Sequence, residues 1–340
     1  MRALIHRAVA AWDRLWFAPV DARALGVMRV TLGVLLIVFH VSLWPDLALF
    51  FSDRGVLDAR GLAEGWTSWR WSHLDGLSDP GLHLAHGAGL LVLLAFTLGI
   101  GGRPVAWLTL AVLAATWHRN PFLQNGGDRL LRIWTLSLAL SPVTRAFSID
   151  SWWARRNGRP LPAQVPVLSI RLVQLQLLVM YTWTAIAKLR GSTWTGGTAI
   201  YYALSDLSYS RAPAVADALL PSAVVQAIAR VSTYATLGWE LLFVPMVLWR
   251  RTRWLALLVG VFVHGGIWMT MSVGIFSWAA VWGYLAWLDP AELGRRSGRA
   301  FEFLHHVLGQ ERGDGEGAQD GPDRDARRED GHGEGDAEAT

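Results

Sequence analysis

Long apolar runs, separated by short polar segments that carry Arg, make up most of the first 290 residues. The runs fall at roughly 26–45, 81–100, 104–118, 129–142, 166–188, 229–249, 254–273 and 275–289. Most reach, or nearly reach, the length a helix needs to cross a hydrocarbon core of roughly 30 Å. The fourth is short and carries Arg132. The pattern predicts an all-α, polytopic transmembrane helical bundle of about eight spans, with no internal repeat.

The polar segments set the expected orientation. Residues 1–25 are basic and amphipathic, with Arg2, Arg7, Arg14 and Arg23, and no small-residue cleavage site precedes the first span. They read as a signal-anchor start on the cytoplasmic side. Segments 101–103, 143–165 and 250–253 carry Arg103, Arg145, Arg155, Arg156, Arg159, Arg250, Arg251 and Arg253. The exterior loop 46–80 is net acidic, with Asp46, Asp53, Asp58, Glu64, Asp75 and Asp79. The positive-inside rule then places both termini in the cytoplasm of a multi-pass plasma or inner membrane protein. Residues 26–290 form the membrane domain, 291–310 a cytoplasmic juxtamembrane segment and 311–340 a polar tail. The tail is rich in Gly, Asp and Glu and is expected to be disordered.

Composition supports lipid as the solvent. Hydrophobic residues make up 52% of the 340 and charged residues only 17%, against about 25% charged in soluble domains. The 20 Trp fit an interfacial aromatic belt. There is no Cys, which excludes disulfides, thiol catalysis, iron–sulfur ligation and Cys-bound zinc. A net charge of +4, spread between spans, gives no nucleic-acid footprint. Of the 31 basic residues one alone is Lys, Lys188.

Lys188 closes the fifth span in YTWTAIAKLRGSTW. It can snorkel to headgroups. Desolvation there would also favour a neutral amine able to act as a general base, which Arg cannot do. Glu240 and His264 lie in the sixth and seventh spans at similar distances from the turn near Arg251. Antiparallel helices place them at similar depth, so a Glu240–His264 pair is expected, as a structural clasp or as a proton relay. Asn125-Gly126-Gly127-Asp128 precedes the fourth span, where Asp128 can cap the helix or border a site shared with Lys188. Trp194, Tyr201 and Tyr202 follow Lys188 and read as an interfacial belt or as an aromatic wall for a flat ring. His40, His73, His83, His86, His118 and His264 raise the question of haem. His40 and His264 match poorly in depth, and no metal or haem is expected.

The run QLQLLVMYTWTAIAKLRGSTWTGGTAIYYAL, with NGGDRLLRIWTLSLALSP before it and WELLFVPMVLWRRTRWLALLVGVFVHGGI after it, resembles the HTTM (horizontally transferred transmembrane) domain family. These are bacterial relatives of the membrane domain of the vitamin K-dependent gamma-carboxylase. The similarity spans about residues 20–290. The family's eukaryotic enzyme oxidises vitamin K hydroquinone to the epoxide with oxygen. The base so generated opens the way to carboxylation of glutamate. A Lys-Leu pair before a Trp and paired aromatics is thought to deprotonate the hydroquinone. The resemblance puts that role on Lys188-Leu189, with Trp194 and Tyr201-Tyr202 beside it. It implies reduced vitamin K or menaquinol as cofactor, and membrane lipid, a quinone and a secreted peptide or protein substrate as partners.

Two departures bear on the activity. The eukaryotic enzyme follows its membrane part with a large lumenal domain for its substrate, whereas residues beyond 290 here are polar tail. The family's carboxylase carries a His in the loop before the fourth span, and the nearest position here is Gly127, within NGGD. The resemblance therefore implies a quinol-dependent epoxidase or carboxylase, with quinone binding implied more directly than glutamate carboxylation. The alternatives are a non-enzymatic maturation or immunity factor for a secreted peptide, and a proton-coupled transporter using Glu240 and His264.

Overall fold

Helices fill the apolar runs in the order the sequence sets. The computed structural model describes residues 1–56 and 72–300. Asp58 and Glu64 of the first exterior loop, and the tail 311–340, lie outside the described residues. The described chain is all-α apart from one two-stranded antiparallel ribbon, β1 (Pro19–Asp21) with β2 (Gln164–Pro166). An amphipathic helix, α1 (Arg2–Phe17), buries none of its residues.

Next along the described chain come α2 (Ala22–Leu43), α3 (Leu47–Phe51), α4 (Asp79–Leu98), α5 (Gly102–Arg119), α6 (Gly126–Ala139), α7 (Ile149–Arg156) and α8 (Leu168–Leu189). The short α9 (Ser192–Thr195), α10 (Ala199–Ser205) and α11 (Pro213–Leu219) follow. Then come α12 (Ala223–Leu248), α13 (Arg253–Thr270) and α14 (Phe276–Trp282), the last continuing as a 3-10 turn to Trp287. Among the described residues five segments are long and apolar enough to cross a membrane: 22–51, α4, α8, α12 and α13. The other three expected spans correspond to α5, α6 and α14, which are shorter or less apolar.

Sequential helices pack as neighbours, from α2 on α4 through to α13 on α14. Their outer faces are apolar, as lipid requires: Val34, Val38, Leu84, Leu91, Val179, Leu242 and Phe262 are all exposed. With no hydrophobic drive between helices in lipid, close packing and interhelical hydrogen bonds hold the bundle. Tryptophans supply several of these bonds. Trp134 Nε1 donates to Ala279 O at 3.0 Å, Trp239 Nε1 to Ala256 O at 2.9 Å and Trp282 Nε1 to Thr31 Oγ1 at 2.9 Å. The expected interfacial belt accounts for exposed rings such as Trp12, Trp153 and Trp254, but Trp134, Trp239 and Trp282 are core residues.

One end of the bundle is closed by a polar collar. Asp21 caps α2 by accepting from Arg23 N at 2.9 Å and pairs with the Arg23 side chain at 2.7 Å. The wholly buried Arg29 donates to Val143 O at 2.8 Å, to Ala146 O at 3.2 Å and to Phe147 O. These carbonyls follow α6, so one α2 side chain fixes where the returning chain lies. At the other end the chain between α8 and α12 folds into α9–α11, with α9 and α10 against α12 and α11 against α10. Tyr234 O–H donates to Thr195 O at 3.1 Å and Ile200 N donates to Thr233 Oγ1 at 3.2 Å.

Candidate functional site

The last turn of α8 carries Lys188, and the chain doubles back at once. Gly191 accepts from Trp194 N at 3.1 Å, starting the single turn of α9. That turn folds the indole over the lysine, with Nζ 4.7 Å from the Trp194 ring centroid. On the other side, Lys188 Nζ donates to Glu240 Oε1 of α12 at 2.5 Å. The Glu240 side chain is 8% exposed and the Lys188 side chain 21%. A carboxylate and a π face are both partners for an ammonium. The other carboxylate oxygen, Oε2, is sealed from solvent and accepts no hydrogen bond among the described residues. Thr184 lies beside Glu240, one turn before Lys188, but its hydroxyl donates to Met180 O at 2.9 Å and to Tyr181 O at 3.2 Å.

The expected Glu240–His264 pair does not form. His264 Nε2 instead bonds the Tyr181 hydroxyl at 2.9 Å, and Tyr181 bonds the Tyr284 hydroxyl at 2.6 Å. His264 Nδ1 has no hydrogen-bond partner among the described residues. The reason lies on α8. Tyr181 and Lys188 are seven residues apart, on one face and about 10 Å apart in height. The helix therefore offers a separate partner to each group. The transporter reading rested on a direct Glu240–His264 relay, and that contact is missing.

These partners give a test. A double-mutant cycle of Lys188→Met with Glu240→Gln is expected to show coupling of about 1 kcal/mol in detergent unfolding, whereas Glu240→Gln with His264→Ala is expected to be close to additive. The reverse ranking would refute the assigned contacts.

The NGGD turn is a helix start. Asn125 Oδ1 accepts from Gly127 N at 2.6 Å, and Asp128 Oδ2 accepts from Asn125 N at 2.8 Å, a reciprocal cap on α6. Asn125 Nδ2 also reaches Val273 O at 3.3 Å. Gly127 permits close approach: a Cβ there would lie 2.7 Å from the Phe276 backbone. Position 127 is thus sterically closed to a side chain in this structure. Phe276 packs in turn on His264, with centroids 5.5 Å apart.

Tyr201 and Tyr202 lie on α10, T-shaped to each other at 5.6 Å, and Tyr202 is 56% exposed. No hydrogen bond or ring contact among the described residues joins them to Lys188, so Trp194 alone of the three aromatics touches it. Sequence reasoning missed Tyr181 and Tyr284. Tyr181 stands one heptad before Lys188, a spacing that places it on the same helix face.

The arrangement defines a helical membrane protein with a buried acid–base cluster at one end of its bundle. The family model of the HTTM domain matches residues 17–290, and the chain belongs to that family, a membrane domain family related to the gamma-carboxylase. No curated protein and no solved structure matches the chain.

Proposed function

We propose that this protein is a membrane enzyme that takes a proton from the hydroxyl of a reduced quinone, with Lys188 and Glu240 as the acid–base pair. The 2.5 Å contact between them carries the reading. Along that contact the pair can hold its proton as ammonium and carboxylate, or as amine and carboxylic acid. In the second form Lys188 is the base. Trp194 holds the amine in place and offers a flat face.

These groups fit a hydroxylated ring. Lys188 and Glu240 would take its hydroxyl, and Trp194 would face the ring. Reduced vitamin K or menaquinol would supply the ionisable hydroxyl and, with oxygen, the oxidation. The family's Lys-Leu position falls on Lys188-Leu189, which supports the same assignment. A secreted peptide or protein acceptor for subsequent carboxylation belongs to this reading too. Mass spectrometry of quinones co-purifying with the detergent-solubilised protein tests it. A stoichiometric quinone is expected, and its absence from every preparation made from quinone-replete membranes would count against the proposal.

The orientation belongs here as well. With both termini cytoplasmic, Lys188 opens to the exterior face, as the lumenal chemistry of the carboxylase requires. A reporter fused after residue 310 is expected to read cytoplasmic and one inserted near Asp58 to read exterior. An exterior reading at 310 would overturn the layout.

A further inference from the structure

Helix α1 is 16 residues long, yet none of them is buried. Leu4, Ile5, Ala8, Val9, Trp12 and Leu15 recur at helical spacing and fall on one face. Arg2, His6, Arg7, Asp13 and Arg14 share the opposite face. Phe17, in the last position, is the one large apolar side chain outside this division. Leu4, Ile5, Val9, Trp12 and Leu15 are between 46% and 73% exposed. An open apolar strip of this kind marks a contact with lipid or with protein.

The fold sets the level at which this face stands. From Ala18 the chain enters the β1–β2 ribbon and then α2, where a membrane-crossing segment starts at Ala22. Arg171, in the first turn of the crossing helix α8, donates to Leu15 O at 3.3 Å. The C-terminal end of α1 is therefore held where two spans enter the bilayer. Trp12 packs on Trp16 at that end, with ring centroids 5.7 Å apart, and Trp is favoured at membrane–water boundaries. The helix itself does not cross. Its length of about 24 Å falls short of a core of roughly 30 Å, and it carries Arg2, Arg7, Asp13 and Arg14.

Charge selects the surface. Three Arg against one Asp leave α1 with a net charge of +2. A helix with an apolar face and Arg on its polar face lies in the headgroup plane, and anionic lipids strengthen its hold. Each net positive charge near an anionic surface favours the bound form roughly fivefold.

We propose that α1 is a membrane-surface helix that docks on anionic phospholipid, with its apolar face among the upper acyl chains of the adjoining leaflet and its arginines on the anionic headgroups. This surface is separate from the acid–base pair and does not depend on the activity proposed for it.

The chain has no Cys, so one introduced thiol gives a single labelling site. The test uses nitroxide labels at Ala8→Cys, on the apolar face, or at His6→Cys, on the polar face. The full chain is reconstituted in nanodiscs of phosphatidylcholine mixed with phosphatidylglycerol. The Ala8→Cys label is expected to be open to oxygen and shielded from a water-soluble nickel chelate, and the His6→Cys label the reverse. In nanodiscs of phosphatidylcholine alone, the ratio of immobile to mobile label at Ala8→Cys is expected to fall at least tenfold, as two net charges at about fivefold each allow. Adding Arg2→Gln, Arg7→Gln and Arg14→Gln should produce a similar fall in the mixed nanodiscs, since Gln keeps the helix propensity but not the charge. Nickel access at both positions would mean a helix in water. Shielding of Ala8→Cys from both reagents would mean a protein contact, such as a second copy of the chain. Either result, equal docking in the two bilayers, or unchanged docking in the Gln variant would overturn the proposal.

Discussion

Replacing Lys188 by Arg is expected to leave insertion, folding and the helix packing intact while abolishing turnover of reduced quinone. Arg keeps the charge and the length needed to reach Glu240, and its planar guanidinium stacks on an indole such as Trp194 at least as well as an ammonium does. It does not give up its proton near neutral pH, so the amine form of the pair is lost. A positioned general base contributes typically about 10²- to 10⁴-fold, and a loss of that size is the expected reading. A lysine that only snorkels to headgroups predicts the opposite, near-normal turnover in the Arg variant. Size-exclusion and melting profiles matching the wild type would show that the loss is chemical.

Arg29→Met should be the most destabilising single change among the residues described. Arg29 is wholly buried, and its guanidinium serves Val143 O, Ala146 O and Phe147 O. Methionine fills much of the volume and leaves those carbonyls without this donor. Hydrogen bonds to a charged donor are worth about 1.5–3 kcal/mol each and are not additive, so a loss of roughly 3–5 kcal/mol is expected. Arg29→Lys should recover part of it, because an ammonium lacks the fork that spans several carbonyls. Gly99, with φ +70°, is tied to the same cluster, since a Cβ there would lie 2.7 Å from Arg29 Nη1. Thermal and denaturant unfolding in detergent give the measurement. A change within about 1 kcal/mol for Arg29→Met would show that the collar does not depend on this side chain.

Much of the fold was legible because lipid imposes a simple rule. A spanning segment must satisfy its backbone internally, so apolar length translates directly into helix. Each of the eight expected runs holds a helix, α2, α4, α5, α6, α8, α12, α13 or α14, of which α5, α6 and α14 fall short of the length or apolarity of a span. Boundaries were less legible. The helix expected to begin at 229 starts at Ala223, because residues 223–228 are apolar apart from Gln226 and extend the run by more than a turn. The cap on α6 was legible in the NGGD turn, since Asn and Asp at that spacing satisfy each other's backbone.

At the site, heights along the helices were legible but directions around them were not. Lys188 and Trp194 were readable as neighbours because six residues with an intervening Gly suffice to fold one over the other. Glu240 and His264 were correctly placed in neighbouring helices, yet their partners come from α8, which depth alone cannot reveal. Arg29 was hidden for a related reason. An Arg in an apolar run is a cost until the carbonyls it serves, more than a hundred residues away, are known.

Oxygen uptake by wild-type proteoliposomes supplied with reduced menaquinone or reduced vitamin K tests the central claim most directly. The account predicts uptake that depends on the hydroquinone, exceeds that of protein-free liposomes many-fold and accompanies loss of the hydroquinone. Uptake no greater than in protein-free liposomes, from protein shown to be folded and inserted, would contradict it.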